Sequence, residues 1–313
     1  MKVIIPVAVT AAKLTATNVA ENDYAMWAIG TTYARGDFCI STTTHTVYRS
    51  LTDSNLGNDP DAEIAALADP LIDDPDPVNW QIISATNRWK MFDGKPSNLC
   101  TNAESITLTI EPGQFVGGVG FFEITAKTIQ LDIVDPVEGL VYTKTVNMQD
   151  ESVVTDWYSY YFEDIVTLNE LVMLDLPPYS NAEYQITIAN PNGTAKVGQI
   201  AIGSIWEIGK TLIPNLSVSG LDFSFVQNDE FGDLVTVKRE ATQLNTFDVL
   251  IPSTDLFGFA RRVKDLRGGS LAVWIGDDDS RLRAINFGFC RDWRNVYSTR
   301  EISVVSLQIQ GVV

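Results

Sequence analysis

"ATNRWKMFDGKPSN", residues 85–98, decides how the chain is divided. Trp89, Met91 and Phe92 stand there among Arg88, Lys90, Asp93 and Lys95, and a turn signal follows. Two aromatics among three cations would suit a ligand cradle, a nucleic-acid contact or the opening of a new domain. The simplest reading is the last. The stretch is expected to be a linker and first strand of a middle β domain, with Trp89 and Phe92 in its core and the cations flanking it.

Strand signals dominate on either side. "SITLTIEPG", "GGVGFFEI", "TIQLDIV", "VYTKTVNM", "AEYQITIANPNG" and "ISVVSLQIQGVV" are alternating or β-branched runs bounded by turn formers. "NPNG", Asn190–Gly193, reads as a turn. Long helical patterns are scarce, and one good helix is expected. "DAEIAALADPL" allows two turns before Pro70. "STDLFGFARRVKDLRGG" has Ser253 or Thr254 as N-cap, Gly268–Gly269 as C-cap, and Leu256, Phe259, Ala260, Val263 and Leu266 on one face.

The fold class expected is mainly β, in four parts. Residues 1–20 form an N-terminal strand or arm, with "MKVIIPVAVTAA" read as a mature strand because Pro6 interrupts a minimal apolar run. Residues 21–84 form a small β module that ends at the Pro- and Asp-rich "DPLIDDPDPVNW". Residues 85–212 form a jelly-roll-like β-sandwich. Residues 213–313 form a second β-sandwich with one flanking helix.

The 313 residues carry a net charge of −18, unevenly spread. Lys238–Arg300 holds eleven Lys and Arg against eight Asp and Glu, while the remainder holds eleven against thirty-two. An acidic chain is repelled by polyanions, so direct nucleic-acid binding is not expected. No run approaches the ~18 consecutive apolar residues of a bilayer span, so membrane insertion is not expected. The basic segment suits contact with an acidic face of another copy. Cys39, Cys100 and Cys290 are too far apart for a metal cluster or a disulfide framework.

No catalytic constellation emerges. His45 is the sole histidine, in an expected exposed strand or turn, and no nucleophile elbow accompanies it. "GSIWEIGKT" imitates a phosphate loop, but Ile205, Trp206 and Ile208 are too bulky for a cradle of amides. Asp73, Asp74 and Asp76, and Asp277–Asp279, read as solvated loop charge without a Ca²⁺ pattern. Asp156, Glu163 and Asp164 around "WYSYYF" are the best carboxylates for glycoside hydrolysis, and Trp157–Phe162 reads as a sandwich strand. The expectation is no enzyme, no metal and no cofactor.

Two resemblances add to this. The order Trp27, Tyr33, Gly36–Asp37, Tyr48, Pro60, Trp80 resembles the small carbohydrate-binding modules attached to chitinases. It departs where those modules carry an exposed tryptophan pair, since Leu51-Thr52-Asp53 stands there. The resemblance leaves Tyr33 and Tyr48 as candidate glycan contacts, with Trp27 and Trp80 mostly buried. The whole order, from this head to "LRGGSLAVWIGD", "FGFCRDW" and "EISVVSLQIQGV", is similar to tail-tip proteins of tailed bacteriophages, of the distal-tail and baseplate type. That likeness implies a tail-tube-like fold for residues 213–313 and a structural virion protein, made in the host cytoplasm and located at the virion tail tip. It implies a homo-oligomeric ring, with a hexamer expected, joining the tail tube protein to baseplate hub or tail fibre proteins. With the local positive charge, Arg261, Arg262, Lys264 and Arg267 become candidate ring contacts. The alternative is a carbohydrate-binding attachment protein that grips a host surface glycan, and the third reading is an enzyme degrading surface polysaccharide.

Overall fold

The computed structural model describes residues 1–67, 76–149, 157–158, 167–228, 233–266, 269–276, 284–296 and 299–312. The chain is mainly β, as its sequence patterns require. Strands β1 (Lys2–Pro6) and β2 (Leu14–Thr17) come first. A small head follows: β3 (Thr32–Tyr33), β4 (Phe38–Ser41), β5 (Thr46–Ser50), β6 (Asn55–Leu56), helix α1 (Pro60–Leu67) and β7 (Trp80–Ala85). The central part holds β8 (Cys100–Ile110), β9 (Gly118–Phe122), β10 (Thr128–Asp135), β11 (Gly139–Asn147), β12 (Glu170–Met173), β13 (Glu183–Val197) and β14 (Gln199–Glu207). Then come β15 (Lys210–Thr211), β16 (Ser217–Asp222), β17 (Phe225–Asn228), β18 (Leu234–Val237) and β19 (Ala241–Pro252). Helix α2 (Leu256–Asp265), β20 (Ala272–Ile275), β21 (Ile285–Val296) and β22 (Ile302–Gly311) complete the described chain.

One antiparallel sheet runs β12-β9-β14-β1-β20-β21-β22-β19-β15, with β16 also on β19. A second runs β11-β10-β13-β8-β2. The first half of the large sheet packs on the second sheet, with Val119, Phe121, Ile200 and Ile202 facing Ile106, Leu108, Leu131 and Ile186 in one core. The other half carries α2, whose Leu256, Phe259 and Val263 join Phe247, Val249, Trp274 and Leu307 in a separate core.

Strand β1 joins the two halves. Val3 lies in the α2 core and Ile4 in a cluster on the opposite face, as alternation along a strand demands. That is why "KVIIP" reads as an unbroken apolar run: it is buried on both faces. It pairs with β14 on one side and β20 on the other. The approach is close at Gly203, where a Cβ would lie 1.9 Å from the Ile5 carbonyl oxygen. Two expectations therefore change. Residues 1–20 supply a central strand rather than an arm. The division at 212/213 separates no two sheets, because β14 and β20 flank the same strand.

Further local differences have physical causes. Residues 85–98 do not open with a strand. Lys90–Phe92 form a 3₁₀ turn that buries Met91 completely and Trp89 nearly so, and the next strand starts at Cys100. "NPNG" is no hairpin turn. The chain continues along β13 while Asn190–Gly193 loop out between Ala189 and Thr194, bridged by a 2.9 Å bond from Asn190 Nδ2 to the Thr194 carbonyl. Trp157 and Tyr158 are helical and exposed rather than in a sandwich strand, and Tyr160, Tyr161 and Phe162 lie outside the described residues. Asp255, not Ser253 or Thr254, stands at the N-cap of α2.

Candidate functional site

Three surfaces matter for function: the head, its junction with the sandwich, and a hairpin arm near the β19 end of the large sheet's strand order.

The head turns its aromatics inward. Tyr33, Tyr48, Cys39 and Trp80 form its core, with Trp27 and Ile64 packed against them. Trp80 is fully buried and its indole N–H donates to the Asn58 carbonyl at 2.9 Å. Tyr33 meets Trp80 edge-on at 5.1 Å, and its hydroxyl accepts the Ala28 N–H. The hydroxyl of Tyr48 donates to Asp61 at 2.9 Å, and Ser41 and Thr44 donate to the same carboxylate. Burial pushes the Tyr48 hydroxyl above its ordinary pKa, and the Asp61 charge adds to this. Tyr33 and Tyr48 are 7% and 1% exposed, so neither ring offers a face to a sugar. Their assignment as glycan contacts is corrected: together with Trp80 these rings fill the core that a head this small has. Large apolar groups of the head that reach solvent include Tyr24, Met26, Ile29, Leu56, Val78, Ile82 and Ile83.

A cleft of about 470 Å³ lies where the head meets the sandwich. His45, Trp89 and Phe92 supply its rings, Thr10, Thr43 and Ser84 its hydroxyls, and Asp93 and Lys95 its charges. Burial raises the Asp93 carboxyl, partly offset by the Asn98 amide and the Lys95 N–H that it accepts. His45 occupies the β4–β5 turn at φ +57°, half-buried, with Nδ1 2.9 Å from Glu21 Oε1. No serine or cysteine is hydrogen-bonded to it among the described residues. Glu21 was not singled out from the sequence; a lone Glu between Ala20 and Asn22 carries no pattern.

The hairpin arm was also missed. Strand β16 pairs with the start of β19, and β17 with β18 beyond it, so residues 217–228 and 233–246 make a two-stranded ribbon. Among the described residues its outer part pairs with no other strand. Phe225, Val235 and Val237 lie on one face and Val226 and Leu234 on the other, all exposed. Arg261, Arg262 and Lys264 are exposed on α2, and the Arg262 guanidinium sits 5.5 Å from the Trp206 ring. Arg267 lies outside the described residues, as do Asp73, Asp74, Asp156, Glu163, Asp164 and Asp277–Asp279. Among the described residues no cluster of three or more ligating side chains could hold a metal, and no helix is long and apolar enough to cross a membrane. "GSIWEIGKT" is strand β14 running into β15, with no phosphate cradle.

No protein-family profile matches the chain, and no curated protein matches it either. Among solved structures, it is similar to a selenomethionine-labelled variant of chitosan-binding module 1 from a chitosanase/glucanase of Paenibacillus sp. IK-5. That likeness is weak and partial, at 10% identity and TM-score 0.25, covering 37% of this chain and 83% of the module.

Proposed function

We propose that this chain is a structural assembly protein of a phage tail tip, one that self-associates into a ring between the tail tube and the baseplate or receptor-binding parts. It turns over no substrate. The hairpin arm carries this reading. A two-stranded ribbon alone is marginal in water, and this one leaves apolar side chains on both faces. Apolar area of that kind marks an interaction surface. The exposed cations of α2 beside an acidic chain then set register rather than affinity, since rim ion pairs contribute about 0–1 kcal/mol each. The order of sequence motifs supplies the tail-tip assignment itself.

The test trims the arm and leaves the shared sheet intact. Removing residues 213–313 would strip β20 from β1, so that truncation cannot separate assembly from folding. Replacing residues 224–238 by a tight turn can. The full chain should give closed rings in electron micrographs and a multiple of the monomer mass in light scattering. The trimmed chain should be a folded monomer. A full chain that stays monomeric at high concentration, with or without a tail tube protein, overturns the reading.

Glycan attachment is the second reading, and the junction cleft favours it, because rings beside hydroxyls suit a sugar. Saturable binding of chitin oligosaccharides by the full chain, lost in Phe92→Ala, would move it to first place.

A further inference from the structure

The head is tied to the rest of the molecule in an unusual way. Both of its sheets, β3-β6 and β4-β5-β7, are separate from the two large ones, and its core is separate from theirs. The chain enters it after Glu21 and leaves it at Thr86. These two crossings are bonded to each other, Thr86 Oγ1 donating to Glu21 Oε1 at 2.8 Å. The exit is anchored firmly. Asn87 exchanges two hydrogen bonds with Thr101 of β8, its backbone N–H donates to Asp23, and Arg88 Nε donates to the Val19 carbonyl.

Within the head, one side chain reaches across. The His45 carbonyl accepts the Thr86 N–H at 2.9 Å. Its imidazole contacts the Glu21 carboxylate and lies flat on the Trp89 ring, 4.3 Å between centroids and 24° between planes. Glu21 is itself nearly buried, 7% exposed, with Arg88 Nη1 3.8 Å from its other oxygen. Beside this contact the two bodies do not close: the 470 Å³ cleft separates the β4–β5 turn and β7 from Trp89, Phe92 and residues 9–11. The Trp89 indole N–H is buried there without a partner.

We infer that the head is a pivoting unit, hinged at Glu21 and Thr86 and latched to the sandwich by His45. In the latched state the imidazole covers Trp89 and contacts Glu21. In the released state the head turns about the paired crossings, the cleft opens and Trp89 loses its cover, while the head's own core is untouched. The β4–β5 turn supplies the latch because its left-handed residue aims one side chain at both halves of the anchor. The His45 side chain is thereby the removable part of the attachment, beside the fixed bonds that Thr86 and Asn87 make to the His45 carbonyl and to Asp23 at the hinge.

The experiment measures the angle of the head. Spin labels go on Ile29→Cys in the head and Val137→Cys in the sandwich, both strongly exposed. Cys39 and Cys100 are buried and stay unlabelled, and the half-buried Cys290 is changed to serine in every variant, the parent included. The distance distribution of the full chain is compared with that of His45→Asn and of Trp89→Leu. Asparagine tolerates the positive φ of this position but is too short to bridge Glu21 and Trp89, and leucine keeps apolar bulk without a ring face. The parent should give one narrow peak. Each variant should shift and broaden it, while amide exchange protection around Tyr48 and Trp80 stays at the parent level. A narrow, unshifted peak in both variants overturns the latch. Lost protection in the head of His45→Asn also overturns it, because His45 would then belong to the head's fold rather than to its attachment.

Discussion

The head and the hairpin arm are built from the same materials and use them oppositely. Both are short strands rich in aromatic and β-branched residues, outside the two large sheets or at their margin. In the head these side chains converge: Tyr33, Tyr48 and Trp80 meet, and polar partners are found for each ring's N–H or O–H. In the arm they diverge, since a two-stranded ribbon has no third element to enclose either face, and Phe225, Val226, Leu234 and Val237 remain in water. The lesson concerns where binding energy is stored. Apolar surface already buried at home stabilises the chain and is lost to partners, whereas the arm's surface is still available. The head is thus the self-contained element, and the ribbon is the exposed one.

The comparison breaks most visibly at Trp80. Trp80→Ala removes the largest ring of the head's core, a loss of about 3–5 kcal/mol by the cost of large-to-small core changes. A unit this small should lose its fold altogether, while the sandwich around Phe121 and Trp274 keeps its protection. Hydrogen exchange resolved by region checks this, and simultaneous loss of protection in head and sandwich would make them one cooperative body. Next comes Asp61→Ala. It takes the acceptor from the Ser41, Thr44 and Tyr48 hydroxyls, leaving Tyr48 only its 3.2 Å contact with Thr44. The expected cost is about 1–3 kcal/mol for buried groups that lose a partner. The same exchange should confine that loss to the head.

Two tyrosines sharpen the contrast within buried cores. Tyr48 has hydroxyl partners, and Tyr184, in the sandwich, has a buried hydroxyl with none. Tyr48→Phe should therefore cost about 1 kcal/mol, and Tyr184→Phe nothing, or a slight gain. They also differ in alkali. Burial pushes the Tyr184 hydroxyl up to about 12, against about 10 in an unfolded chain. The native state then holds this proton more tightly than the unfolded state. Its contribution is complete below about pH 10 and is lost as the pH rises toward the folded value. Cys39 and Cys100, also raised to about 12 by burial, act in the same direction. Denaturant titrations of Tyr184→Phe and the parent between neutral and alkaline pH should diverge above about pH 10, the variant losing less. Parallel curves would mean that Tyr184 ionises as readily folded as unfolded.

The sequence carried the local part of this architecture and not its pairing. Helix α2 was legible because Leu256, Phe259 and Val263 recur at helical spacing, and β22 because it alternates over its whole length. Neither pattern says which strand lies alongside. That β1 bridges β14 and β20 is a contact between residues some 200 and 270 positions apart, invisible to any local signal. "NPNG" misled because a bulge and a turn ask for the same residues. Tyr33 and Tyr48 misled because an aromatic in a short strand reads alike facing in or out. Their partners Asp61 and Trp80 settle it only once α1 and β7 are folded against them.

The smallest expected change in stability falls on the arm, and it decides the most. Val226 and Leu234 stand on one face of the ribbon and contact no core of their own chain, so changing both to threonine leaves β-propensity nearly intact. Surface substitutions of this kind shift folding by no more than about 0.5 kcal/mol. The monomer's denaturation midpoint should stay put while the assembled fraction, followed by light scattering against concentration, falls sharply. The matching change on the other face, Phe225→Thr with Val237→Thr, should do the same if both faces are covered by neighbours. If instead it leaves assembly intact, only the Val226 and Leu234 face is covered, and the arm lies on a neighbour rather than between two. A drop in the monomer's own stability from either pair would mean that the arm packs within its chain, and the division between a closed head and an open arm would fail.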